Sequence, residues 1–172
     1  MLMIPEGRAM RALILSIYVI LAVAIQATWL KALNVTPDLV LILVVSLGLL
    51  RGSDQGLFFG LMAGFFMDLL SGGIIGVHAL SKMVLGFSAG FMEKTIFKDN
   101  LLIPSITVFG ATLIFESFNI IMYIAFNAHY NFIGTFVSSI LPMAFYNAIL
   151  TPFIYQLVLK MERWIVKRAS DR

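Results

Sequence analysis

The feature that most constrains this chain is a recurring stretch, long or apolar enough for a membrane helix and nearly free of charge, that comes back six times in 172 residues. About 20 apolar residues in a helix cross the roughly 30 Å hydrocarbon core of a bilayer. The runs fall at 12–30, 37–50, 55–70, 73–92, 101–126 and 134–159. The first lies between Arg11 and Lys31, and the second is short and opens on Pro37, a residue suited to a first helical turn. Only Ser71-Gly72-Gly73 separates the third from the fourth, which makes those two helices antiparallel neighbours. Pro142 and Pro152 lie inside the sixth and predict kinks, because each removes a backbone donor and crowds the preceding turn. Hydrophobic residues make up 60% and charged residues 12% of the chain, against about 45–50% and about 25% in soluble domains. The expected fold is therefore a single all-α, polytopic integral membrane domain with six transmembrane helices.

The first run follows Arg8 and Arg11, as a signal peptide would, but its length and the lack of a small-x-small cleavage site favour a retained helix. Lys and Arg set the orientation. Arg8, Arg11, Arg51, Lys94, Lys98, Lys160, Arg163, Lys167, Arg168 and Arg172 fall on the side of both termini. Lys31 alone falls on the other side, so both termini are expected in the cytoplasm. Trp29, Tyr155 and Trp164 sit where aromatic belts form. Residues 160–172 read as a basic cytoplasmic tail. Its Trp164-Ile-Val interleaved with Lys and Arg fits a topology anchor or, more sharply, contact with anionic lipid or a cytoplasmic partner.

Spacing carries the next inference. Gly52, Gly56, Gly60 and Gly64 recur every fourth residue, Asp68 takes the next place, and Gly72 and Gly76 follow. Helix four carries a matching series, His78, Lys82, Gly86 and Gly90. Residues four apart share a helix face, and small residues on such a face let backbones approach closely in lipid. Gly56, Gly60, Gly64, Gly76, Gly86 and Gly90 are therefore read as helix-packing positions.

The polar members call for function or pairing, since a charge at the bilayer centre costs about 2.5–3.5 kcal/mol even on the lenient insertion scale. Asp38 begins helix two, Asp68 ends helix three, His78 and Lys82 begin helix four, and Glu116 and Asn119 occupy the second half of helix five. In the orientation above, all converge on the outer half of the membrane. The expected arrangement pairs Lys82 with Asp68 or Glu116 beneath an outward-facing pocket lined by Asp38 and His78. Lys82→Met should then strand the acidic partner and lower the folded yield.

Catalysis finds little support. Gly86-Phe-Ser88-Ala-Gly90 matches the G-x-S-x-G nucleophile elbow, but that motif needs a strand-turn-helix setting and here lies mid-helix. Asp38 and Asp68 lie near the outer surface with nothing to make them a proton-sharing dyad. His78 and His129 are the only imidazoles, and the chain has no cysteine, so neither a metal site nor thiol chemistry is expected. No phosphate-binding glycine loop, cofactor site or nucleic-acid-binding feature is present. What remains is a small membrane assembly subunit or, alternatively, the small-molecule-binding subunit of a transporter, since polar pockets in helical bundles hold substrates and coupling ions.

Residues 37–90 narrow the choice. Pro37-Asp38-Leu39 opening a short helix, Gly60-x3-Gly64-x3-Asp68, Ser71-Gly72 and Gly76-Val-His78-Ala-Leu80, in this order, resemble the rod shape-determining protein MreD family. The resemblance covers about a third of the chain, and Asp38, Gly60, Gly64, Asp68, Gly76 and His78 are the family-like positions. It implies a non-enzymatic, multi-pass subunit of the bacterial inner membrane, with a helix arrangement similar to the substrate-binding subunits of energy-coupling-factor transporters. It also implies partners: MreC directly, and MreB, RodA and a class B penicillin-binding protein within the machinery that elongates the peptidoglycan wall.

Overall fold

The computed structural model describes residues 5–28, 35–71, 74–92, 100–126, 129 and 131–170. All regular structure among them is helical. The helices are α1 (Pro5–Thr28), α2 (Leu39–Arg51), α3 (Ser53–Ser71), α4 (Val77–Phe91), α5 (Leu102–Ala125) and α6. The last is built from Phe132–Thr135, a π-helical turn Phe136–Ile140 and Leu141–Ser170 in succession. Trp29, Lys31, Gly72, Gly73, Lys94, Lys98 and Arg172 lie outside the described residues.

α2 is apolar all round, and such a helix has no face to offer water. Every residue from Val40 to Leu50 is buried, with α1, α3, α4, α5 and α6 packed around it. The outer helices turn large apolar side chains away from the bundle, among them Phe58 and Leu70 on α3, Leu80 and Phe91 on α4, Ile106 and Ile114 on α5, and Ile149 and Phe153 on α6. Leu102–Ala125 and Phe132–Lys167 are long and apolar enough to cross a membrane, and Ser16–Gln26 and Leu39–Arg51 are shorter apolar helices.

α3 and α4 form the closest pair in the bundle, and their two four-residue series meet in antiparallel register. A Cβ placed at Gly64 would lie 2.3 Å from the His78 carbonyl oxygen, one at Gly60 2.0 Å from that of Lys82, and one at Gly56 2.2 Å from that of Gly86. Gly90 abuts Gly52 and Ser53. Backbone therefore rests on backbone along the whole hairpin, as small-residue faces permit. α2 joins this contact through Gly48, where a Cβ would approach the Gly86 carbonyl oxygen to 2.7 Å. Gly52 alone separates α2 from α3, and its φ of 88° is the left-handed conformation that so abrupt a reversal uses.

Gly76 departs from the packing role expected of it. Nothing lies within 4 Å of the position its Cβ would take, and its φ is 104°. It shapes the entry to α4, which begins at Val77 rather than at residue 73. Gly76→Ala is therefore expected to destabilise by about 1–2 kcal/mol through backbone strain alone, as a modest drop in melting temperature with an unchanged oligomeric state.

α6 also differs from expectation at both ends. The helix continues through the basic segment to Ser170, with Val158, Met161 and Ile165 still buried against the core. At the other end, the Leu141 N–H reaches back to the Phe136 carbonyl, widening the turn just before Pro142. A proline ring presses on the carbonyl four residues earlier, and a π-turn is one way to relieve that crowding. Pro152 lies within a continuous helix, where the Thr151 hydroxyl donates to the Asn147 carbonyl at 2.6 Å.

Candidate functional site

The polar residues are held at one end of the bundle by helix starts. Asp38 is the N-cap of α2: its Oδ1 accepts from the Leu41 N–H at 2.9 Å, satisfying a donor that the first turn leaves open. Its other oxygen, Oδ2, accepts from Lys82 Nζ at 2.6 Å. Lys82 is only 1% exposed. It belongs to the second turn of α4, and long side chains on a helix lean toward its N-terminus. α2 and α4 start at the same end, so this lean carries the ammonium to the cap of α2.

The ion pair is the centre of a network joining four helices. The Asp38 N–H donates to Asn147 Oδ1 on α6 at 2.9 Å. Asn147 Nδ2 donates to Thr112 Oγ1 on α5 at 3.0 Å, and the Thr112 hydroxyl donates to the Val108 carbonyl at 2.8 Å. Asn147, Thr112 and Thr151 are wholly buried. At the far end of α2, Arg51 pairs with Glu162 of α6. These two ties fix α6 parallel to α2.

Asp68 is not the partner of Lys82. Its carboxylate accepts the backbone N–H groups of Gly76 at 2.8 Å, His78 at 3.1 Å and Ala79 at 3.0 Å. The short connection from Ser71, which ends α3, to Val77, which begins α4, puts the end of α3 beside the open donors of α4, where the helix dipole also favours negative charge. Asp68→Ala would leave those donors without acceptors in a site only 1% exposed. The expected cost is about 2–3 kcal/mol, read as faster amide exchange in the first turn of α4 together with a lower melting temperature.

Glu116 is likewise not hydrogen-bonded to Lys82. It lies within electrostatic reach of both Lys82 and Asp38, and its Oε2 accepts from Asn119 Nδ2 at 3.3 Å. His78 Nε2 faces the Tyr123 hydroxyl at 3.4 Å, with the rings edge to face, and its Nδ1 is buried without a partner. The structure thus brings Asp38, Lys82 and Glu116 together, sets Asp68 to hold α4, and turns His78 toward α5.

Sequence reasoning passed over Asn147, Thr112 and Tyr123. The signal was present for two of them: an asparagine and a threonine inside apolar runs carry the same cost argument that singled out Asp68 and Lys82. Ser88 sits in a regular turn of α4, so the G-x-S-x-G match has no elbow to belong to.

Comparison with curated proteins and with solved structures returns no match. A family model described as rod shape-determining protein MreD matches residues 7–164. That span takes in the α2–α4 unit, the whole polar network and all but the last three residues of the two long apolar helices, and it carries with it a place in the membrane and a role in rod-shape determination. The chain belongs to the MreD family.

Proposed function

We propose that this protein is a non-enzymatic subunit of the cell-elongation machinery that docks MreC and so helps to position or regulate the peptidoglycan synthase complex. In this reading six helices cross the inner membrane with both termini in the cytoplasm, and the end of the bundle carrying Asp38, Asp68 and His78 faces outward. MreB, RodA and a class B penicillin-binding protein join through the same assembly.

One observation carries the reading. The strongest polar interactions of the bundle are spent on holding helices together, while His78 Nδ1 and Asn119 Oδ1 are buried without hydrogen-bond partners at the α4–α5 seam. A rigid frame with a few open polar groups suits a partner segment better than it suits turnover. The test is a photo-crosslinking residue at Tyr123 in cells that express MreC. Adducts with MreC are expected there and not from a probe at Phe58, which faces outward on α3. A small molecule retained in the purified bundle, with no MreC adduct at Tyr123, would instead favour the transporter-subunit reading.

A further inference from the structure

Glu116 is a half-buried carboxylate deep in α5, about 20 Å along the axis from the first residue of that helix and about 14 Å from the last. Among the described residues it forms no ion pair, and its single hydrogen bond comes from Asn119. Asn119 is 2% exposed, and its Oδ1 has no donor. Turning the carboxamide over would not repair this, because it would set that oxygen against the Glu116 carboxylate. The orphan oxygen is therefore fixed beside the carboxylate.

The charge balance points the same way. Asp38, Lys82 and Glu116 act on one another, but the ammonium is held by Asp38 at 2.6 Å. Of the carboxyl groups acting on Lys82 only Asp38 is paired with it, which leaves the Glu116 carboxyl and one amide oxygen without a cationic counterpart. Both acceptors suit the same object: a cation that also donates hydrogen bonds.

We infer that the seam where α5 faces α4, at Glu116 and Asn119, receives an ammonium or guanidinium group on a side chain of the docked partner. The identity of the carrier rests on the docking reading above; the charge of the group does not. A side chain from a membrane-crossing segment reaches this depth, whereas a lipid headgroup stays at the interface, more than 10 Å away along the helix.

The absence of cysteine from the chain permits a direct test. Ile120→Cys places a thiol one turn from Glu116 on the same side of α5, at a half-buried position. The detergent-purified chain, without partner, is treated with cationic 2-aminoethyl methanethiosulfonate or anionic 2-sulfonatoethyl methanethiosulfonate, each rate being normalised to free glutathione. The cationic reagent is expected to win by roughly tenfold, as one unneutralised charge at this range would produce. The preference should vanish when Glu116→Gln is added, with the melting temperature of each variant confirming the fold. Equal rates, or no reaction with either reagent, would overturn the inference, since the seam would then be neutral or closed. Undiminished capture of MreC by a Glu116→Gln chain would overturn the assignment of the cation to the partner. Failure of the unsubstituted chain to capture MreC would sink the docking reading instead, and the charge preference would still be measurable.

Discussion

Lys82→Met is expected to destabilise the bundle by about 3–5 kcal/mol, enough to collapse the yield of folded protein. The loss comes less from the missing attraction than from what stays behind: a carboxylate, Asp38, in an apolar interior with its counter-charge gone. The double variant Lys82→Met/Asp38→Asn separates these contributions. Asparagine still caps α2 through its side-chain oxygen, and no unpaired charge remains at position 38, so most of the lost stability should return. Melting curves of the four proteins in one detergent form the cycle. A single variant that melts with the parent would mean that the ion pair contributes nothing, and a double variant no better than the single would shift the cost to the lost lysine stem.

The second large effect is expected at Gly60, where the first added carbon meets the Lys82 carbonyl at 2.0 Å. Backbone cannot swing aside as a side chain can, so Gly60→Val must force α3 and α4 apart. Overpacking of this kind costs about 1–3 kcal/mol in soluble cores, and more is expected here because separating the hairpin also loosens Gly56 and Gly64. Gly110→Ala on α5 is the control: its Cβ would meet nothing within 4 Å, and alanine favours a helix by up to about 1 kcal/mol over glycine. Size-exclusion profiles and melting temperatures should show aggregation for the first and a neutral or raised melting point for the second. Equal behaviour would dismiss close backbone contact as the organising interaction of the hairpin.

Much of the α3–α4 unit was legible before any coordinates. Two series with the same four-residue step, joined by a short link, leave little choice of register, and Gly60 opposite Lys82 follows. The partner of Lys82 was not legible in the same way. Spacing gives the level of a residue along an axis, but the pairing depended on α2 lying parallel to α4 and on the lysine stem leaning toward the start of its helix. Asp68 was misassigned because its charge drew attention away from the helix start one short loop later, which offered three donors at once. Gly76 shows the limit of periodicity from the other side: it keeps the step of the stripe, yet what its place demands is a positive φ. Asn147 needed no geometry to be noticed, only the habit of weighing neutral polar groups in apolar runs as heavily as charged ones.

The central helix has a further consequence. Its 13 residues climb about 20 Å, some 10 Å less than the thickness of the acyl-chain slab. A protein built round so short a pillar meets the bilayer with its mismatch on the inside, while the lipid touches only the taller helices that fence it. Asp38, at the foot of the pillar, is itself buried, so the ion pair it makes with Lys82 is kept from the fatty-acid tails by the surrounding helices rather than by a charged surface.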